Sequence, residues 1–338
     1  MLNKIIDYNN EILGVYEYDS EELKFFIVLD NLVNGPAVGA CRYINHFNRE
    51  EALKEVQRMA RTMTDKNIIA GIPFGGGKSF IYYNTLEKIE MLKVFAEALN
   101  ELEGKYYVTN DIGVSIEDLQ LLKQYSPYVK GSMISDSYVP STAYSVYLAL
   151  KAAVKFYYKK DTLKDLKIAV QGIGNVGYPL AKFLYNDGCK LFVNEINNDT
   201  IIKLSKEINF EVINDNFALS DVNILVPCAC GDVITSSNID DLKAKIIVGG
   251  ANNQLEDENL AEILFDRNIC FVPDMLANCG GMIDLYCEGE NYSEEYVFSM
   301  IDIIYEKVYE LLELSLYEKK SPNQILFSQV EKLKNSSN

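Results

Sequence analysis

The chain has 338 residues, 48% of them hydrophobic, and a formal charge of −17. That length and apolar content suit two domains with their own cores and a cleft between them, and the acidity excludes non-specific binding of nucleic acid or anionic membrane, both of which need clustered cations. Charge interrupts the opening residues, MLNKIIDYNNEILG, too early for a secretion signal, and no apolar run approaches the roughly 20 residues of a membrane span, so a cytoplasmic location is expected.

Residues 24–29 and 38–44 are β-rich runs parted by turn residues, which predicts a pair of antiparallel strands. Asn48 and Glu51 are spaced as in a capping box, opening an amphipathic helix to about residue 64 and ending just before Lys66-Asn67. The string GIPFGGGKS, residues 71–79, first suggests a phosphate loop. Its spacing fails, because five residues separate Gly71 from Gly77 where such a loop has four, and no suitable strand leads into it. The three glycines before Lys78 either let backbone approach a ligand and carry the lysine into a confined space, or form a surface turn with a solvated lysine. Spacing does not choose between them. Residues 78–83 read as a strand, 86–102 as a helix and 106–109 as a strand that ends at Asn110-Asp111. A carboxylate at the carboxyl end of a strand stands where α/β domains bind ligands.

Residues 131–140, GSMISDSYVP, lose all patterning and are expected to link a domain of residues 1–135 to one of residues 136–310. A helix over 142–158 precedes KIAVQGIGNVGYPLAKFL, a strand, a glycine turn and a helix. Gly172 permits the tight turn, Gly174 lets backbone approach a pyrophosphate, and Gly177 lets the helix pack near the strand. Asn175, Val176 and the helix N-terminus then offer N–H groups and a positive dipole end to phosphates. A second strand, 191–193, ends at Glu195, at the distance expected of a carboxylate that holds the adenosine ribose. Residues 196–200 contain no cation for a 2′-phosphate, which favours NAD as the cofactor. Helices over 199–208 and 257–267 alternate with strands over 223–226, 246–249 and 270–272, the pattern of a parallel, doubly wound sheet. A final helix over about 294–314 has no strand after it, and the segment from about 310 to 338 could cross back to the first domain. The seven cysteines form no paired framework and are expected as reduced thiols; with His46 the only histidine, no metal site is expected.

Eight strings in order, GPAVGACR, MTDKNIIAGIPFGGGK, NDIG, STAYSVYLALKAA, VQGIGNVGYPLAKFL, VPCACGDVI, GGANNQL and NCGGMIDL, resemble the glutamate, leucine, phenylalanine and valine dehydrogenases. The likeness is closest to the shorter leucine and phenylalanine branch and runs over about residues 35–288. It implies an N-terminal α/β substrate domain followed by a C-terminal Rossmann domain, homo-oligomers, and NAD-dependent oxidative deamination of an L-amino acid to the 2-oxo acid and ammonium, or the reverse. By the same resemblance Lys66 binds the substrate carboxylate, Lys78 activates water or carbonyl, and Asp111 exchanges a proton with the amine. Gly39 and Gly75 would hold backbone near the substrate, Val38, Met282 and Leu285 would line its side-chain pocket, and Thr142, Cys228, Ala229, Ala251, Asn252 and Asn278 would line the nicotinamide half. Two lysines in a desolvated cleft disfavour each other's charge, so one can be neutral and act as a base. Hydride transfer itself needs only the nicotinamide ring held against the substrate carbon.

The implied pocket is apolar and lacks the lysine that glutamate enzymes use near Val38, so a buried second carboxylate would go unpaired and a branched or aromatic amino acid is expected. Three residues depart from the resembling pattern: Ser145 for glycine, Asn110 for glutamate, and Asp284 for asparagine. Asp284 could bind a polar or indole N–H on the substrate, or pair with a nearby cation. A nucleotide-binding oligomer that lost the chemistry is the rival reading, and Lys66, Lys78 and Asp111 are all retained against it. Hydroxy-acid dehydrogenases generally use a catalytic histidine, and His46, in an expected exposed turn, is poorly placed for one.

Overall fold

The computed structural model describes residues 2–9, 12–32, 35–45, 48–131, 140–214, 216–288 and 292–336. His46 and most of the expected linker lie outside the described residues. The chain divides into two compact units, Met1–Tyr138 and Val139–Ser336.

The first unit is a six-stranded sheet of β1 (Asn3–Asn9), β2 (Ile12–Asp19), β3 (Leu23–Leu29), β4 (Ala37–Tyr43), β5 (Gly75–Asn84) and β6 (Tyr106–Asn110), with helices α1 (Arg49–Ala70), α2 (Lys88–Glu101) and α3 (Ile116–Lys123). The order is β1-β2-β3-β5-β4-β6, antiparallel from β1 to β5 and parallel across β5, β4 and β6. The two early strands expected to pair with each other are therefore not neighbours. β5 enters between them, because its almost wholly buried sequence belongs at the sheet's centre. Along β3 the side chains alternate: Phe25 and Ile27 join the core that includes Phe95 and Leu99 of α2, whereas Phe26 and Val28 join the one that includes Val56 and Ala60 of α1. α1 begins where expected, with the Asn48 side chain accepting from the Glu50 and Glu51 N–H groups. It runs past residue 64 to a left-handed Gly71 (φ 75°), since Thr64 and Asn67 are themselves buried helix residues and nothing before the glycine releases the chain.

The second unit is a parallel sheet of β7 (Lys167–Gln171), β8 (Lys190–Asn194), β9 (Glu211–Val212), β10 (Ile224–Pro227), β11 (Ile246–Ile247) and β12 (Cys270–Phe271). Its order, β12-β11-β10-β7-β8-β9, is the doubly wound Rossmann arrangement. The chain leaves β7 first to one side and then to the other, and this opens a crevice at the carboxyl ends of β7 and β10. Helices α4 (Ser141–Tyr158), α5 (Gly177–Asn186), α6 (Asn198–Ser205), α7 (Leu260–Asp266), α8 (Asp274–Ala277), α9 (Gly280–Cys287), α10 (Glu294–Ile301), α11 (Ile303–Glu318) and α12 (Pro322–Ser336) complete the unit. The single helix expected over 294–314 is two, broken at Asp302, whose Oδ1 accepts from the Tyr144 hydroxyl of α4 at 2.8 Å. α12 clusters with this unit, where the Ser321 hydroxyl donates to Glu262 and Asn323 Nδ2 to Glu258 at 2.9 Å. Among the described residues no helix is long and apolar enough to cross a membrane.

Candidate active site

Strand register assembles the polar centre of the first unit. β4 lies between β5 and β6, with Arg42 opposite Phe80 and Cys41 opposite Asn110. Lys78 on β5 and Asp111 just past β6 are thereby brought together, and Lys78 Nζ donates to Asp111 Oδ2 at 2.6 Å. The loop carrying Asp111 is pinned to β4: the Tyr43 N–H donates to Ile112 O at 2.8 Å, and Gly113 takes a φ of 82° with Tyr43 O only 2.2 Å from where a Cβ would stand. Asn110 is exposed, its side-chain oxygen accepting from Thr109.

Lys78 is 5% exposed, which settles the choice that spacing left open: the lysine is confined, on a strand, and not part of a surface turn. Burial lowers its proton affinity below that of ordinary lysine, Asp111 opposes that, and Arg42 adds to it. A neighbouring cation acting here is Arg42, which the sequence reading did not name. For Asp111, burial pushes the carboxyl upward, but the charge and hydrogen bond of Lys78, the Ile112 N–H and Arg42 outweigh it and hold the group below the usual aspartate range.

Lys66 lies in α1 just before its last turn, partly buried. That helix end is held against the GGGK strand, with Asn67 Nδ2 donating to Gly75 O at 2.8 Å and a Cβ on Gly76 coming within 2.1 Å of Thr64 Oγ1. The glycines at 39 and 75 have a reason inside the protein, whatever a ligand adds. A Cβ on Gly39 would lie 1.7 Å from Gly77 O, and one on Gly75 1.7 Å from Asn31 O. Val38 is fully buried and presents no surface. Sequence reasoning missed Arg42, whose Nε donates to Asp111 Oδ2 at 3.1 Å, and also Glu55 and Asn67. The available signal was that Arg42 closes the GPAVGACR string and Asn67 the MTDKN string.

In the second unit the three fingerprint glycines separate cleanly. Gly172 has φ 80°, and a Cβ there would meet Ala229 Cβ at 2.6 Å; on Gly177 it would meet Gly172 O at 1.9 Å. On Gly174 it would meet nothing within 4 Å, which leaves backbone open to an incoming group, as a pyrophosphate requires. Glu195, at the end of β8, accepts from the Ile173 N–H at 2.6 Å and the Asn197 N–H at 2.8 Å. Burial pushes its carboxyl upward, yet the backbone donors hold it below the usual glutamate range, so it is an anion with acceptor capacity to spare for ribose hydroxyls. Around the crevice, a Cβ on Gly250 would touch Val176 at 2.6 Å and the Cys228 sulfur at 3.4 Å, the Ala251 N–H donates to Pro227 O, and Asn278 Nδ2 donates to Asn252 Oδ1 at 2.9 Å. Burial pushes the Cys228 thiol up to about 12, so it stays neutral. Asn175 is exposed in the turn. These groups fit a dinucleotide.

Thr142 begins α4 next to α9, where a Cβ on Gly281 would meet its Oγ1 at 3.0 Å. Ser145 ties the same helices: its hydroxyl donates to Ala277 O at 2.8 Å and accepts from the Gly280 N–H at 3.2 Å. Met282 and Leu285 are three residues apart on α9, hence on one face, and both are partly buried. Asp284 pairs with hydroxyls and not with the cation the sequence allowed for. The Ser141 hydroxyl donates to Oδ2 at 2.9 Å and the Tyr292 hydroxyl to Oδ1 at 2.8 Å, while burial raises its proton affinity.

Comparison with known proteins identifies the family. The dimerisation domain of the Glu/Leu/Phe/Val dehydrogenases matches residues 17–129, and the Glutamate/Leucine/Phenylalanine/Valine dehydrogenase domain matches residues 191–313. The chain is 33% identical over 317 residues to a leucine dehydrogenase of Bacillus subtilis (strain 168), covering 91% of this chain and 86% of the relative. It is 35% identical over 298 residues to an L-tryptophan dehydrogenase of Nostoc punctiforme, covering 87% and 84%. A crystal structure of L-tryptophan dehydrogenase from Nostoc punctiforme superposes with a TM-score of 0.87 at 32% identity, over 96% of this chain and 95% of that one. The chain belongs to the glutamate/leucine/phenylalanine/valine dehydrogenase family, close to leucine dehydrogenase, and with it to the oxidoreductases that act on CH–NH2 groups.

Proposed function

We propose that the chain, as a homo-oligomer, catalyses NAD-dependent oxidative deamination of an apolar L-amino acid to its 2-oxo acid and ammonium, and the reverse amination. The observation that carries the reading is the Lys78–Asp111 pair: a buried lysine of lowered proton affinity, 2.6 Å from a carboxylate of lowered proton affinity. Bound NAD supplies the hydride acceptor. Asp111, an anion at rest, takes a proton from the substrate's ammonium group before the hydride leaves; Lys78, neutral for part of the cycle, takes a proton from the water that adds to the substrate's imino carbon, and Asp111 then returns its proton to the departing nitrogen. Lys66 keeps its charge and holds the substrate carboxylate. Gly174 lets the pyrophosphate reach backbone N–H groups, and Glu195 accepts from the ribose. Ile196 is fully exposed and is followed by Asn197, Asn198 and Asp199, so no cation favours a 2′-phosphate.

Met282 and Leu285 support an apolar side chain, and a second carboxylate buried against them without a cation would be costly. Because Asp284 already receives two hydroxyls of its own unit, it gives no support to a substrate chosen for a polar N–H. The test is NADH absorbance with ammonium and a panel of branched, aromatic and polar 2-oxo acids. Turnover of branched or aromatic acids is expected. Lys78→Ala should lower kcat by about 1,000-fold or more while NADH fluorescence titration gives an affinity within about twofold of the parent. An active Lys78→Ala variant contradicts the assignment, and NADH binding with no turnover of any acid would make the protein a silent nucleotide binder.

A further inference from the structure

Five charged side chains alternate in sign along one row of the first unit. Lys78 bonds Asp111 at 2.6 Å, Asp111 bonds Arg42 at 3.1 Å, Arg42 Nη1 reaches Glu55 at 3.5 Å, and Glu55 bonds Arg58 at 2.8 Å. Side-chain exposure rises along the row from 7% at Lys78 to 65% at Arg58. The outer pair is largely in solvent and adds little by itself, whereas the inner three groups meet at one oxygen, Asp111 Oδ2, which accepts from both Lys78 and Arg42.

We infer that Arg42 is the positioning residue of the reaction centre: it fixes the Asp111 carboxylate and sets a permanent positive charge against Lys78, with Glu55 holding its guanidinium in turn. The inference rests on the deamination reading and adds to it the source of the electrostatic setting. Arginine suits the task because its planar fork addresses Asp111 through Nε and Glu55 through Nη1 at once, and because it stays charged at any working pH. Among the groups that act most strongly on Lys78, Arg42 is the cation. On β4 burial pushes the Cys41 thiol up to about 12, on β6 the buried Tyr106 phenol is pushed well above its ordinary value, and on α1 Glu55 lies beyond Arg42.

The test compares kcat and KM against pH for the parent, Arg42→Met and Arg42→Lys in the full-length protein, with folding checked by circular dichroism and NADH titration. In parallel the Asp111 carboxyl is followed by carbon-13 NMR, assigned with Asp111→Asn. Arg42→Met should lower kcat for deamination by about 10- to 100-fold with KM within about threefold. Removing a positive charge lets Lys78 keep its proton longer, so the acidic limb of the kcat profile should move to higher pH, and the Asp111 carboxyl should titrate at higher pH than in the parent. Arg42→Lys keeps the charge but loses the fork, so it should leave the limb nearer the parent while kcat stays several-fold low. A folded Arg42→Met protein whose limb and carboxyl titration are both unmoved overturns the inference, as does a loss confined to KM. Should Arg42→Met not fold, Arg42→Lys decides, and full kcat in it is the overturning result. A parent protein that deaminates nothing would instead remove the deamination reading, and the carboxyl titration would still report whether Arg42 holds Asp111.

Discussion

At Gly76 an added methyl group would stand 2.1 Å from Thr64 Oγ1 and 2.3 Å from the Thr64 amide nitrogen, whereas at Gly174 it would find nothing within 4 Å. Both glycines belong to strings that look alike on paper, GGGK and GIGNVG. In the first unit Gly76 lets a helix and a strand close on each other, and the charged groups there are the side chains of Lys78, Asp111 and Arg42. In the second unit Gly172 and Gly177 close the turn and Gly174 is left open, so the polar work falls to backbone N–H groups and the Glu195 carboxylate. A glycine-rich string thus says that backbone must come close to something. Whether that something is protein or ligand depends on what fills the position of the missing Cβ.

The contrast is sharpest when each kind of glycine is replaced by alanine. Gly76→Ala forces the α1 backbone off β5, an overpacking that costs about 3 kcal/mol or more, and a large drop in the thermal midpoint with loss of turnover is expected. Gly174→Ala should leave the ligand-free midpoint where it is, with stability within about 0.5 kcal/mol of the parent, and weaken NADH binding by about tenfold or more. Equal destabilisation by both substitutions, read by calorimetry, would erase the distinction drawn here.

A smaller effect separates side-chain chemistry from backbone binding by their response to pH. As the proposed base, Lys78 would act only when neutral, and burial together with Arg42 lowers its proton affinity. Deamination kcat should therefore climb with pH and level off below the roughly 10.4 of ordinary lysine. NADH affinity should stay flat over the same range, because the Glu195 carboxyl lies below the usual glutamate value and is ionised throughout. Stopped-flow turnover and fluorescence titration on one buffer series would show it. Parallel curves would mean that a single group governs both.

What the sequence made legible follows the same division. The nucleotide fingerprint could be read residue by residue because it is local: strand, turn and helix are contiguous, and each glycine has one geometric task. The place of Asp111 at the end of a strand could be read as well. The pairing of the early strands could not, because β5 arrives from about residue 75 and displaces the local partner. Arg42 was missed for a related reason: a lone arginine at the end of a strand looks like a solvated cation until Glu55 and Asp111, from other elements, are placed beside it. The two helices at 294–301 and 303–318 were read as one because an apolar period gives no sign that Asp302 will be claimed by Tyr144.

Asp284 gives the smallest expected effect. In this chain it stands where the resembling family usually has asparagine, and the exchange tests whether the carboxylate reads a substrate or serves its own unit. The Ser141 and Tyr292 hydroxyls each donate to one of its oxygens, and an amide keeps one acceptor while its NH2 can donate to whichever hydroxyl turns to accept. Asp284→Asn should then cost no more than about 1 kcal/mol. The ratio of kcat/KM for leucine to that for tryptophan should stay within about threefold of the parent, because no substrate contact is lost. A tenfold change in that ratio would mean that the carboxylate faces the substrate despite its two hydroxyl partners, and the apolar reading of the pocket would have to yield to one in which a carboxylate selects a polar N–H.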